Sequence, residues 1–459
     1  MLTDGEAAAE GGAPNAGRRG RGARSRTARV PGAWGTTWML LAFMLVNFAD
    51  KAVMGLGAPK IISDLHLTHG QFGMAQSAFF ALFSLSALAV SSLTRRISTG
   101  VLLLTLALAW SAAQLPMLLQ TSGFGVLVAT RVLLGAAEGP ALPVATHHVY
   151  GWFGHRERTL PTAVLLIGAA AGVAVSAPVL SWVIDRWGWR WAFGAVGFAG
   201  LAWAALWNGY GRKGPLQRAD DRPEEGAPPA ALPYHRILLS RTWLTAAFGS
   251  FAAYWMLSSS LTWGPDYLDH VAGLSLTQTG LLVTLAAVGN AASLLSHALL
   301  TRRTTAREAR GHPARRRLPS GAGSGLLMCA AACAVAVFVS SDTLWVKIVM
   351  MVGPMTLTNV IMTVSQTACA RVAPPERRGV VLGALAFVYA LAGILAPLVT
   401  GRVVDAAGDL GTGYRTAYLL TAGLVGSAGA LAACFLRPEK DARRLGVPEQ
   451  AGPAPVLAH

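Results

Sequence analysis

Residues 101–120 read VLLLTLALAWSAAQLPMLLQ, an unbroken run without a charged side chain. At 1.5 Å rise per residue, a helix of ~20 residues covers ~30 Å, the thickness of a bilayer's hydrocarbon core. Blocks of this kind recur along the chain, and the composition agrees with them. Of the 459 residues 53% are hydrophobic and 13% charged, with mean hydropathy +0.46. Soluble domains carry roughly 25% charged residues, and a soluble chain this long would divide into domains with polar surfaces between them. The composition defines an all-α membrane protein.

Working outward from 101–120, the apolar segments of the first half are Trp34 to Gly57, 71–93, 101–120, 124–150, 159–184 and 190–210. After a polar, Pro-rich stretch from Lys213 to Pro233 come 242–263, 277–300, 321–340, 343–367, 379–400 and 414–436. This predicts about twelve transmembrane helices in two six-helix bundles. The expected divisions are a disordered basic tail (1–33), a first bundle (34–210), a linker (211–240), a second bundle (241–436) and a closing tail (437–459). The tail before Trp34 has the charge of a signal peptide. The segment after it is too long for an h-region and is interrupted by polar residues, so it is expected to be retained.

The net charge of +16 raises the question of nucleic acid. A nucleic-acid binder gathers Lys and Arg on a folded face; here they sit between apolar blocks, so no nucleic-acid partner is expected. Of the 38 Lys and Arg, all but Lys51, Lys60, Arg131, Arg186, Arg190, Lys347, Arg402 and Arg415 fall in the tails, the linker or the loops following even-numbered segments. The positive-inside rule then places both termini in the cytoplasm, for a multi-pass protein of the cell membrane. Cys329, Cys333, Cys369 and Cys434 lie in or beside apolar blocks, where thiols act as small hydrophobes. No metal site or cofactor is expected, and no phosphate-binding glycine loop marks an ATP-driven pump or other enzyme. The halves echo one another: Arg95-Arg96 follows segment 2 and Arg302-Arg303 follows segment 8, while Glu157-Arg158 and Glu376-Arg377 precede segments 5 and 11. Such an echo fits two bundles related by an axis along the membrane normal, with a substrate site between them near the midplane.

An ionisable group at the bilayer centre costs ~2.5–3.5 kcal/mol on insertion scales, so each needs a function or a partner. Segment 1 holds Asn47, Asp50 and Lys51. Asn47 shares a helix face with each of the other two, but Asp50 and Lys51 stand ~100° apart and cannot address the same partner alike. Segment 4 holds Arg131, Gly135 and Glu138. Two turns place Arg131 and Glu138 on nearly one face, ~10 Å apart along the axis, with Gly135 between them to admit another helix or a ligand. Glu138, near the middle of the segment, is a carboxyl balanced between burial and a neighbouring cation, able to take up and release a proton. No comparable buried charge is expected in the second half. That half offers Tyr254 and Ser258 on one stripe of segment 7, Asn359 in segment 10 and Tyr389 in segment 11 as a polar and aromatic lining. If both carboxylates are protonated in the loaded state, the cavity is net positive and favours an anion.

The chain resembles a transporter of the major facilitator superfamily, and more narrowly its anion:cation symporter family. The resemblance rests on Asn47-Phe48-Ala49-Asp50-Lys51, on Arg131 to Gly139, on Trp152-Phe153 with Glu157-Arg158, on Gly188 to Phe193, on Trp263 to Leu268 and on Gly393 to Pro397. It implies proton coupling through Asp50 and Glu138, and anion binding by Lys51. It also implies substrates such as sugar acids or aromatic carboxylates, and a protein working as a monomer in the bilayer. Lys51 stands where the family has an Arg, exchanging a planar fork for a point charge. In the loop after segment 2, Ser91, Arg95, Ser98 and Gly100 depart from the superfamily pattern and Arg96 fits it. The expected activity is proton-coupled symport of a small organic anion. The competing expectation is proton-coupled export of a drug or secondary metabolite. Against export, the spacing of Gly168, Gly172 and Pro178 matches the antiporter motif poorly.

Overall fold

The computed structural model describes residues 30–93, 97–154, 157–211, 214–215, 232–309, 321–374 and 377–447. Most of the two tails and of the linker, with Arg95, Arg96 and Glu376, lie outside the described residues. The first half comprises α1 (Ala33–Asp64), α2 (His69–Leu93), α3 (Thr99–Gln114), α4 (Phe124–Glu138), α5 (Ala141–Tyr150), α6 (Thr159–Trp187) and α7 (Trp189–Tyr210). After the short α8 (Tyr234–Leu238) come α9 (Arg241–His270), α10 (Leu276–Ala309), α11 (Gly321–Ser340), α12 (Leu344–Val352), α13 (Val360–Val372), α14 (Arg378–Ala406) and α15 (Leu410–Phe435), with α16 (Pro438–Arg444) closing the chain.

These helices make twelve long rods, six in each half, three of them jointed. Among the described residues, nine rods are long and apolar enough to cross a membrane by length and composition alone. The joints follow proline chemistry: Pro lacks an N–H and its ring crowds the preceding turn. α3 passes into a 3-10 turn, Leu115–Leu118, that contains Pro116. α4 breaks from α5 at Gly139-Pro140, and α12 meets α13 through a 3-10 turn, Pro354–Asn359. Large apolar residues cover the outside, such as Ile167 at 60% and Val175 at 63% exposure on α6, a surface suited to lipid rather than water.

Several rods outrun the apolar segments that announce them. α1 continues through Pro59 to Asp64, past the Gly57 that closes its apolar segment, and α9 reaches His270 instead of Trp263. Hydropathy marks where the hydrocarbon ends, whereas the backbone ladder continues into the polar layer. A similar contact recurs in the two halves, in the second one residue along from the Arg158 and Arg377 echo of the sequence. Arg158 Nε donates to the Phe153 carbonyl at 3.2 Å, and Arg378 Nε donates to the Ala373 carbonyl at 3.3 Å, the same five-residue clip in each half.

The halves meet at the end of the molecule where α1 stops and α2 begins, called here the far end. α2 packs on α14, α1 on α9 and α6 on α10. Asp405 of α14 caps α2, its two oxygens accepting from the backbone N–H of His69 (2.9 Å) and Gly70 (2.7 Å). An acidic cap satisfies free N–H groups and meets the positive end of the helix dipole. The His69 ring lies 3.4 Å from Asp405 and 3.5 Å from Asp266 of α9. Between α6 and α10, Thr284 Oγ1 donates to the Ala174 carbonyl at 2.8 Å. The far end is therefore closed by contacts between the halves.

Candidate functional site

One turn before Gly55, whose backbone lies against the Leu261 carbonyl of α9, α1 turns adjacent residues to different surroundings. Lys51 faces the divide between the halves, and its Nζ lies 2.6 Å from Glu138 Oε2. It also donates to Asn47 Oδ1 at 3.3 Å and sits 4.3 Å from the centre of the Phe48 ring. Asp50 points into the first bundle, where its carboxylate is 3.4 Å from Arg131 Nη1 and accepts from the Gln114 amide. Arg131 donates to Gln76 Oε1 at 3.3 Å and lies 4.8 Å from the Phe79 ring centre. Arg131 and Glu138 share a face of α4, as their spacing requires, yet each takes its partner from α1: Asp50 and Lys51 respectively.

The close approach at Gly135 is by a helix. A Cβ there would collide with the Phe79 carbonyl of α2, and one at Gly139 with the Phe83 carbonyl. α2 thus lies against α4 along both turns that carry the charges. Glu138 ends α4 at the Gly139-Pro140 joint, a correction to the unbroken helix expected over 124–150. Its side chain is fully buried, and Oε1 has no hydrogen-bond partner among the described residues. A buried carboxylate with half its acceptor capacity unused is costly as an anion.

A cavity of about 390 Å³ lies between the halves. Of the residues expected at the site, Lys51, Tyr254, Ser258 and Asn359 line it, and Lys51 is the only charged side chain among its described lining residues. Asn47 and Arg131 stand behind that wall, touching Lys51 and Gln76. Tyr389 stands behind Tyr254, with ring centres 5.3 Å apart. Asp50 and Glu138 are buried, at 1% and 2% exposure, with Glu138 reaching the cavity through Lys51.

Two expectations need correction or addition. The second half does bury charge. Asp266 is 0% exposed, accepts from the Tyr414 hydroxyl and lies 3.2 Å from His270; Lys347 is 7% exposed and donates to the Tyr267 hydroxyl and, at 3.2 Å, to the Phe338 carbonyl. Asp266 was hidden because it lies beyond the apolar segment 242–263, whose helix runs on to His270, whereas Lys347 falls inside the segment 343–367 but so near its start that it reads as an interfacial residue. Gln76 and Gln114 were missed as partners of the Arg131–Asp50 pair. The available signal was an amide inside an apolar block, because such a group also needs a partner there.

Two helical bundles around a central cavity sealed at one end form the architecture of a multi-pass membrane transporter. The chain belongs to the Major Facilitator Superfamily, whose family model matches residues 39–397 and 357–458. It is 26% identical over 404 residues to the hexuronate transporter of Bacillus subtilis (strain 168), covering 86% of this chain and 92% of that one. It is 27% identical over 428 residues to a probable sulfoacetate transporter of Cupriavidus necator, covering 88% and 94%, and 25% identical over 430 residues to a probable L-galactonate transporter of Escherichia coli (strain K12), covering 89% and 91%. These are organic-acid transporters, in keeping with the anion:cation symporter resemblance. Among solved structures, an inward-facing, occupied bacterial homolog of the human lysosomal transporter Spinster superposes with TM-score 0.73 at 18% identity, covering 90% of this chain and 98% of that one. A D-xylose–proton symporter superposes with TM-score 0.68 at 12% identity, covering 89% and 99%.

Proposed function

We propose that this chain is a proton-coupled symporter of a small carboxylate, working by alternating access. The observation that carries the proposal is the contact between Lys51 and Glu138. The one cation among the cavity's described lining residues is held at 2.6 Å by a buried carboxylate. A substrate anion arriving while Glu138 is ionised meets a neutralised ammonium and a second negative charge. Protonating Glu138 removes that charge, weakens its hold on Lys51 and leaves the ammonium to the substrate carboxylate. Proton first and anion second is thus an order set by electrostatics. Asn47, accepting from Lys51, positions the ammonium. Asp50 is the second candidate proton site, linked to the cavity wall through Arg131 and Gln76. Tyr254, backed by Tyr389, together with Ser258 and Asn359, closes on the ligand from the second half.

The basic residues support an orientation with both termini in the cytoplasm of a cell-membrane protein. The described arginines at the other end of the rods from His69 and Asp405 include Arg241, Arg302, Arg303 and Arg378. With that orientation the closed far end faces outward.

The direct test is uptake of a carboxylate panel into proteoliposomes with and without an inward proton gradient. Gradient-stimulated uptake of at least one acid is the expected result; exchange of neutral solutes alone, indifferent to the gradient, would remove the proposal. Lys51→Gln removes the charge-assisted contact, which is worth about 1.5–3 kcal/mol. The expected consequence is a roughly 10- to 150-fold weaker carboxylate affinity, read from half-saturation of counterflow. An unchanged half-saturation would take Lys51 out of the binding site.

A further inference from the structure

We propose that the carboxylate taken by this cavity carries an aromatic body, not the row of hydroxyls of a sugar acid. This rests on the reading of Lys51 as the carboxylate's partner. Away from the ammonium the wall is largely carbon: Phe48, Phe80 and Phe83 on the first half, Leu257, Met351 and Met355 on the second.

Most of the amide and aliphatic hydroxyl groups that interrupt this wall are already engaged with the protein, and the hydroxyls of Tyr254 and Tyr418 are carried on rings that themselves add aromatic surface. Asn359 Nδ2 donates to Asn290 Oδ1 at 2.9 Å. Thr356 Oγ1 donates to the Gly353 carbonyl at 2.6 Å and bonds the Ser293 hydroxyl at 2.6 Å. Ser258 Oγ donates to the Gly393 carbonyl at 3.5 Å, and Gln76 Oε1 accepts from Arg131 at 3.3 Å. A sugar acid brings four or five hydroxyls, each losing water on entry. Every one left unpaired costs about tenfold in affinity, and breaking a wall bond to pair it strands another group.

An aromatic acid makes the opposite demand. Tyr254 stands edge-on to Phe80 with centres 6.0 Å apart, and Phe48 lies beside the Lys51 ammonium. A ring seated among these residues has both T-shaped and offset partners within its preferred 4.5–7 Å range, while its carboxylate reaches Lys51. At about 390 Å³ the cavity lies within the size range of small-ligand sites.

The test uses the full-length protein in nanodiscs. Binding is read from the ligand-induced rise in unfolding temperature and from competition in proteoliposome counterflow. The probes are benzoate and phenylacetate, gluconate and glucuronate, and benzyl alcohol as a ring without the acid. The expected result is that the aromatic acids bind, with gluconate and glucuronate weaker by about a hundredfold or more, as two unpaired hydroxyls would produce. Phe48→Leu, which keeps bulk and loses the ring, should weaken benzoate and spare acetate; Phe80→Leu provides the same comparison should the first variant fold poorly. Gluconate or glucuronate binding as tightly as benzoate would overturn the aromatic assignment and leave the carboxylate reading standing. Benzyl alcohol matching benzoate, or no acid binding at all, would overturn both.

Discussion

Replacing Glu138 by Gln is expected to abolish proton-driven accumulation of the anion while leaving anion exchange across the membrane intact. Gln keeps the shape and one hydrogen bond to Lys51 but has no charge to hold the ammonium and no proton to exchange. The variant is fixed in the form that the protonated carboxyl adopts transiently. One pH unit is worth about 1.36 kcal/mol per proton, enough for about tenfold accumulation of solute per coupled proton. That ratio should fall to unity in the variant. Counterflow, which needs only loaded carriers crossing in both directions, should persist near its original rate because Lys51 is then permanently available. The two assays on one preparation separate coupling from transport. Were Lys51–Glu138 only a packing element, both activities would fall together or neither would change. Retention of full gradient-driven accumulation by the Gln variant would end the role assigned to Glu138.

The fold was legible because lipid imposes a length and a composition on every rod, and both can be counted. The two charged helices were legible for the same reason, since a charge in an apolar block stands out. The pairing was not. Whether Asp50 or Lys51 faces Glu138 depends on how far α1 is rotated against α4. That rotation is set by packing: α2 lies against the bare backbone at Gly135 and Gly139 and fixes the depth of α4. Nothing in the spacing of α1 encodes it. Gln76 and Gln114 escaped because an uncharged amide carries a smaller insertion cost and draws less notice than a charge. Asp266 escaped because hydropathy placed it beyond the end of a helix that in fact continues to His270. The apolar character of the cavity was likewise hidden, because a Phe facing a ligand and a Phe facing lipid look alike in sequence.

Gly55 and Gly73 support a second large expected effect, on the conformational cycle instead of the chemistry. A Cβ at Gly55 would overlap the Leu261 carbonyl of α9, and one at Gly73 the Pro397 carbonyl of α14. In both cases the obstacle is backbone from the opposite half, so no side-chain rotation relieves it. Both glycines face the seam that must close at the far end, away from the core of their own bundle, so each bundle should still fold. Overpacking costs about 1–3 kcal/mol per site, and here it falls only on the closed state. The double variant Gly55→Val with Gly73→Val should therefore shift the balance toward a far end held open by roughly 30-fold to 10⁴-fold, if the sites act additively. Opening also releases the Asp405 cap from His69 and Gly70, bonds that exist only while the halves touch. Transport should fall in proportion to the lost closed population, while binding of the anion from the open far side remains. Spin labels on Ser63→Cys and Ala406→Cys, both exposed at the far end, in a background without the native cysteines, would report the separation. A label distance unchanged by the two valines, or transport that survives them, would mean that the far-end seam is not the gate, whatever Lys51 and Glu138 do in the cavity beneath it.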